Sequence, residues 1–408
     1  MKTLFLLDKH YPDLIEGSMG INSMAATGDR AGLLSVLYVT IFLTATGLGT
    51  ASFMLPVYAT SLGAGYVDLG LMGAIRNVVY TVMTLTVGYL LDRFERIRIY
   101  IAGMLLGVIV VALFGVVTQV ALLIAWSSLL GLVSAAFWVT ASTLTANISP
   151  PDRLSQSMGR YNLSWILGFV VGPTAGGYIS EVLGYQALFL CLASLIVVSI
   201  GVIIWRIRPA ITLLNRSETK GLSLAPLRRL GLAYLTLIPF TCVLGIYMAI
   251  MPGYLKLVGL APALVGLLLT MTNGVRGVGF FNSERSIALG IRRSVSLAAV
   301  LLFVGMIVFS YATSLVEYAI PLVLYGVAAG IMTPVMLDYI AKNCDKENLG
   351  AAMGLHEGVY GVGMCLGPMI GGTIAEVWGP PTLYRLLAVL ALTMLPLAYM
   401  LGRKRADA

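Results

Sequence analysis

Four ionisable side chains interrupt long apolar runs: Arg76 within 66–91, Arg276 within 262–283, Asp338 within 316–341 and Glu357 within 350–375. An ionisable group in such a run is costly unless it faces a cavity or a partner. At about 1.5 Å per helical residue, Arg76 lies roughly 15 Å from the start of its run, near the middle. That depth suits a substrate or coupling role, and pinning by backbone carbonyls or Asn77 is the alternative. Arg276, Asp338, His356 and Glu357 fall at comparable depths, each roughly 5–10 Å from one end of its run. They can meet as one polar cluster. Histidine titrates near neutral pH, and a carboxylate beside it can carry or sense protons. A structural ion-pair network closing one side fits the same residues.

Soluble enzyme chemistry finds no footing. No H-E-x-x-H, G-x-S-x-G or P-loop pattern occurs, and GVGMCLG at 361–367 lies inside a helical run rather than after a strand. Cys191, Cys242, Cys344 and Cys365 are scattered without metal-ligand spacing and read as packing residues. The chain is expected to be no enzyme and to hold no cofactor and no metal.

The elements that carry these residues are set by composition. Of the residues, 59% are hydrophobic and 11% charged, with a mean hydropathy of +0.92. Segments of about 20 apolar residues, enough to cross a bilayer, recur twelve times: 33–59, 66–91, 99–118, 120–146, 157–180, 185–205, 231–255, 262–283, 294–314, 316–341, 350–375 and 381–402. Loop charge orients them. Alternate loops and the two ends hold 22 of the 26 Lys and Arg residues, and the opposite loops hold only Lys256 and Arg385. Both termini and the central loop are therefore expected on the cytoplasmic side. The net charge of +8 reads as attraction to the anionic leaflet, not to nucleic acid. The expected organisation is a cytoplasmic tail at 1–32, a six-helix bundle at 33–205, a cytoplasmic loop at 206–230, a second bundle at 231–402 and a short tail at 403–408.

The two bundles are copies. GFVVGPTAGG at 168–177 returns as GMCLGPMIGG at 363–372, and the 195-residue offset also pairs Gly131 with Gly326, Gly159 with Gly354, Glu181 with Glu376 and Gly184 with Gly379. Small residues four apart let membrane helices approach closely, and proline bends them. Gly168, Gly172, Pro173, Gly176 and Gly177, with Gly363, Gly367, Pro368, Gly371 and Gly372, thus predict two close-packed seam helices. First-half counterparts of the cluster are Tyr80, at an offset of 196 within the 262–283 run, and Thr143, Tyr161 and Asn162, all uncharged, so the shared fold does not require those charges.

GYLLDRFERIR at 88–98 resembles the cytoplasmic signature between helices two and three of the major facilitator superfamily of secondary transporters. Gly88, Leu90, Asp92, Arg93 and Arg96 match it, and Glu95 stands where a second glycine is usual. GFVVGPTAGG resembles the family's helix-five signature, often seen in exporters that exchange substrate for protons. Over residues 33–402 the resemblance implies an all-α membrane protein with 12 transmembrane helices in two pseudo-symmetric six-helix bundles. It implies a monomer in the cytoplasmic membrane that moves a small organic molecule by alternating access. Proton-coupled efflux of apolar or amphipathic compounds is the expectation, while an importer or facilitator of a metabolite, or a non-transporting sensor, stays open. Asp92 would latch the end of helix two to the start of helix eleven. Helices one, four, seven and ten would face the cavity, through Tyr38, Tyr58, Phe137, Trp138, Tyr247, Met248, Tyr325 and Met332. Many such exporters carry an arginine in helix four; WSSLLG at 126–131 has serines there. Protons would then be handled in the second half.

Overall fold

The computed structural model describes residues 25–208, 225–345 and 348–403. Its membrane helices are α1 (Ala25–Ser61), α2 (Tyr66–Arg93), α3 (Arg96–Phe114), α4 (Val120–Ile148), α5 (Leu154–Val182), α6 (Gly184–Val202), α7 (Ala225–Ala249), α8 (Pro262–Phe281), α9 (Ile291–Phe309), α10 (Leu315–Lys342), α11 (Leu349–Trp378) and α12 (Pro380–Leu392). Among the described residues, twelve spans are long and apolar enough to cross a membrane. Helix is the form that satisfies each backbone N–H and C=O within its own segment, which hydrocarbon demands.

Prolines explain two interruptions. A short helix, Met251–Leu257, follows α7 and carries Pro252 in its first turn; a last piece, Met394–Arg403, follows α12 and carries Pro396. Neither proline can donate to the preceding turn, so the helix restarts. Residues 25–32, expected in the tail, are helical and begin α1; the stretch holds no proline, and its Gly28 and Gly32 weaken the helix without ending it. Residues 1–24 of that tail, most of the central loop (209–224) and the end at 404–408 lie outside the described residues.

Equivalent helices pack alike in each half: α2 on α4 as α8 on α10, α1 on α5 as α7 on α11, and α3 on α6 as α9 on α12. Turns repeat as well. Gly63 and Gly184 in the first half, and Gly259 and Gly379 in the second, have φ between 82° and 95°, where a side chain would be strained. These four lie at the distal end of the bundle, opposite the start of α1 and the end of α6. Large apolar side chains such as Val316, Val278 and Trp378 stay exposed, as a lipid-facing surface requires.

Candidate functional site

The halves meet along two helix pairs, α2 with α11 and α5 with α8. The repeated glycine motif serves two faces of its helix. A Cβ at Gly168 would sit 2.8 Å from the Thr46 amide nitrogen, and at Gly172 or Gly176 it would run into Thr50; all three face α1 of the same half. A Cβ at Gly177 would overlap the carbonyl of Pro262 on α8, across the interface. The second copy repeats this division. Gly363, Gly367 and Gly371 press on Thr241, Cys242 and Ile246 of α7, while Gly372 presses on Tyr66 and Gly70 of α2. Pro173 and Pro368 complete the interface face, because a Cβ at Gly266 or Gly70 would meet their carbonyl oxygens. Both copies therefore lie on helices packed closely against one helix of their own half and one of the other.

At the distal end two carboxylates cap helices of the opposite half. Glu376 Oε2, at the end of α11, accepts from the Tyr66 amide at 2.8 Å and the Val67 amide at 3.4 Å. Glu181 Oε2, at the end of α5, accepts from the Ala263 amide at 3.2 Å. The first-turn amides of a helix lack intrahelical acceptors, and a carboxylate there also meets the positive end of the helix dipole. The repeat showed Glu181 and Glu376 as equivalent; their role depends on which helix ends meet, which sequence does not display. Gly253 of the Met251–Leu257 helix closes against Thr60 and Leu69 at the same end. No comparable contact joins α4 to α10 among the described residues.

Between these seams runs a connected aromatic set. Trp138, Trp165 and Phe169 form edge contacts with centroids 5.4–6.1 Å apart. Phe53 links Phe169 to Tyr247 of the second half, and Tyr247 stacks on Tyr325 at 4.5 Å. Met332 is buried on α10 beyond them and Met248 is partly buried on α7. Tyr38 is partly buried and donates to the Ser157 carbonyl of α5 at 3.1 Å. Two expected cavity residues lie elsewhere. Tyr58 packs on Tyr185 and Phe189 and donates to the Val117 carbonyl, and Phe137 is fully buried against Tyr100. Both fill the first bundle, because a helix in a bundle has more than one covered face.

A family model matches the sequence of both halves. The model, the Major Facilitator Superfamily, fits residues 37–285 and 235–408. The chain belongs to that superfamily. It is 24% identical to the proton-coupled antiporter flippase LtaA of Staphylococcus saprophyticus over 88% of this chain and 90% of that one. It is 25% identical to multidrug resistance protein 1 of Bacillus subtilis over 84% and 90%. A solved structure of the nucleoside transporter NupG superposes with a TM-score of 0.74 at 12% identity, covering 90% of this chain and 99% of that one.

In this superfamily member the polar residues divide. Asp338 pairs with Lys342, one turn on, at 2.8 Å, and so turns to its own helix rather than joining a four-residue cluster. His356 is buried, its Nδ1 3.3 Å from Glu357 Oε1, while 46% of the Glu357 side chain remains accessible. Glu357 lies within electrostatic range of Tyr80 and Tyr161, both of the first half. Arg276 sits over the rings of Trp165 and Phe280, at 5.6 and 5.2 Å. Arg76 is only 7% exposed and has no ion pair or hydrogen bond among the described side chains. Its neighbour Asn77 instead donates across the seam to the Met364 carbonyl at 3.0 Å. In the loop signature, Arg93 lies over the Tyr89 ring at 4.3 Å, Arg96 is partly buried, and Gly88 has nothing within 4 Å of a Cβ. The Asp92 side chain, and with it the expected latch, lies outside the described residues.

Proposed function

We propose that this transporter exports apolar or amphipathic organic molecules from the cytoplasm in exchange for protons, by alternating access. The observation that carries the reading is Glu357, an accessible carboxylate on a seam helix, within electrostatic range of phenols of the opposite half and beside a buried histidine. Neutralising it changes the charge at the interface along which the halves must separate. The distal caps from Glu181 and Glu376 hold the opposite end shut, and with the termini cytoplasmic, as loop charge predicts, that end is extracellular. Aromatic and thioether walls suit adaptable apolar recognition. The names of two relatives, a proton-coupled antiporter flippase and a multidrug resistance protein, favour the same reading.

The test uses purified protein in liposomes with a pH gradient imposed across the membrane and a panel of labelled amphipathic compounds. At least one compound should accumulate against its own gradient while protons move the other way. Movement that only equilibrates, unaffected by the pH gradient, would make the protein a facilitator.

A further inference from the structure

We infer that Arg276 and Asn273 of α8, with Tyr325 of α10, form a binding site for the anionic head of an amphipathic organic ligand. The inference rests on the reading of the chain as a carrier of such molecules and adds the charge of what it carries.

Eight buried side-chain polar atoms among the described residues have no hydrogen-bond partner, and three of them belong to residues on α8 and α10 where these helices pack around Gly326 and Gly330: Asn273 Oδ1, Arg276 Nε and Tyr325 Oη. Buried polar groups are nearly always paired, so three orphans together need an explanation. Asn273 is fixed from its other side, its Nδ2 donating to the Leu269 carbonyl at 2.9 Å and to Tyr247 Oη at 3.1 Å. That orientation leaves Oδ1 as a free acceptor. Tyr325 is held by its stack on Tyr247. Arg276 follows Asn273 by one turn of α8, and its charge reaches Tyr247 and Tyr325.

The charge at this place is uncompensated. No carboxylate comes within ion-pair distance of Arg276 among the described residues; Asp338 is taken by Lys342 and Glu357 leans on His356. Asn273 and Tyr325 are each 1% exposed while Arg276 is partly buried, so solvent does not supply the missing partners of the amide oxygen and the phenol. A ligand that satisfied all three atoms would present an anionic acceptor to the guanidinium and phenol and a hydroxyl or N–H donor to the amide oxygen. Its apolar body would lie on Trp165 and Phe280, the rings that already flank the guanidinium. A carboxylate or phosphate on an aromatic or alkyl frame satisfies the guanidinium and phenol, and a hydroxyl beside it satisfies the amide oxygen, whether the anion comes from a free acid or from the head of an anionic lipid. The first-half equivalent of Arg276 is Tyr80, so the site belongs to this half alone.

Equilibrium titration in neutral-lipid nanodiscs tests the inference without requiring transport. Three probes share one frame: 2-naphthoate, the neutral 2-naphthamide and a naphthyl trimethylammonium. Naphthoate should bind about tenfold more tightly than the amide, the ratio expected of one charge-assisted hydrogen bond. Arg276→Gln should erase that preference, Arg276→Lys should keep part of it, and Arg229→Gln, at a surface ion pair with Asp345, should leave it intact. Added phosphatidylglycerol displaces naphthoate if the site takes lipid heads and leaves it bound if the site takes free acids. Equal or tighter binding of the amide or ammonium, no binding of any probe, or a preference that survives Arg276→Gln would overturn the inference. If the preference holds while gradient-driven transport fails, the coupling assignment is wrong and the anion site stands.

Discussion

Arg76 lies almost wholly buried on α2 with no carboxylate within ion-pair distance among the described residues, an arrangement that a purely structural residue does not repay. Arg76→Ala should therefore abolish both gradient-driven movement and simple exchange, measured in liposomes at equal protein content. Retained exchange would place Arg76 off the pathway. The sequence showed which ionisable residues were anomalous and how deep they lay. Depth is one coordinate of a helix surface, and azimuth is the other. Asp338 and Glu357 share a depth, yet Asp338 turns along α10 to Lys342, a partner at i+4 that the spacing alone offers. Asn273 escaped notice because an amide in an apolar run looks like ordinary packing until its unmatched oxygen is seen.

Glycines at the seam helices make a sharper test, because the same substitution should act oppositely at two positions of α5. A Cβ at Gly177 would overlap the Pro262 carbonyl, whereas one at Gly159 would meet nothing within 4 Å. Gly177→Ala should cost about 1–3 kcal/mol by overpacking and lower the thermal midpoint. Gly159→Ala should hold or raise it, since alanine favours helix by up to about 1 kcal/mol. The reverse order would contradict the assignment of faces. The distal caps give a second prediction at this scale. With both carboxylates replaced by amides (Glu181→Gln with Glu376→Gln), the charged share of each cap is lost. A cysteine at Thr60, buried against Gly253 in the closed form, should then react faster with an impermeant maleimide added outside. An unchanged rate would mean the caps do not hold that end. The seam helices themselves were legible because the motif occurs twice in register. Their division into one face within the half and one across it was not, since only packing tells which neighbour each glycine touches.

Across the whole molecule, hydropathy located all twelve spans because membrane thickness fixes their length, and the repeat exposed the two bundles. Breaks at Pro252 and Pro396, and the extension of α1 back to Ala25, are local events that an averaged apolar pattern hides. The halves are alike in their seams and unlike in their charges, and that asymmetry is where coupling is assigned. The direct measurement is uphill substrate movement under an imposed pH gradient, comparing the native protein with Glu357→Gln at equal amounts in liposomes. The native protein should accumulate substrate. The variant should lose accumulation yet keep exchange without a gradient, because the amide preserves shape and some hydrogen bonding while removing the titratable site. Full gradient-driven accumulation by Glu357→Gln would contradict the account.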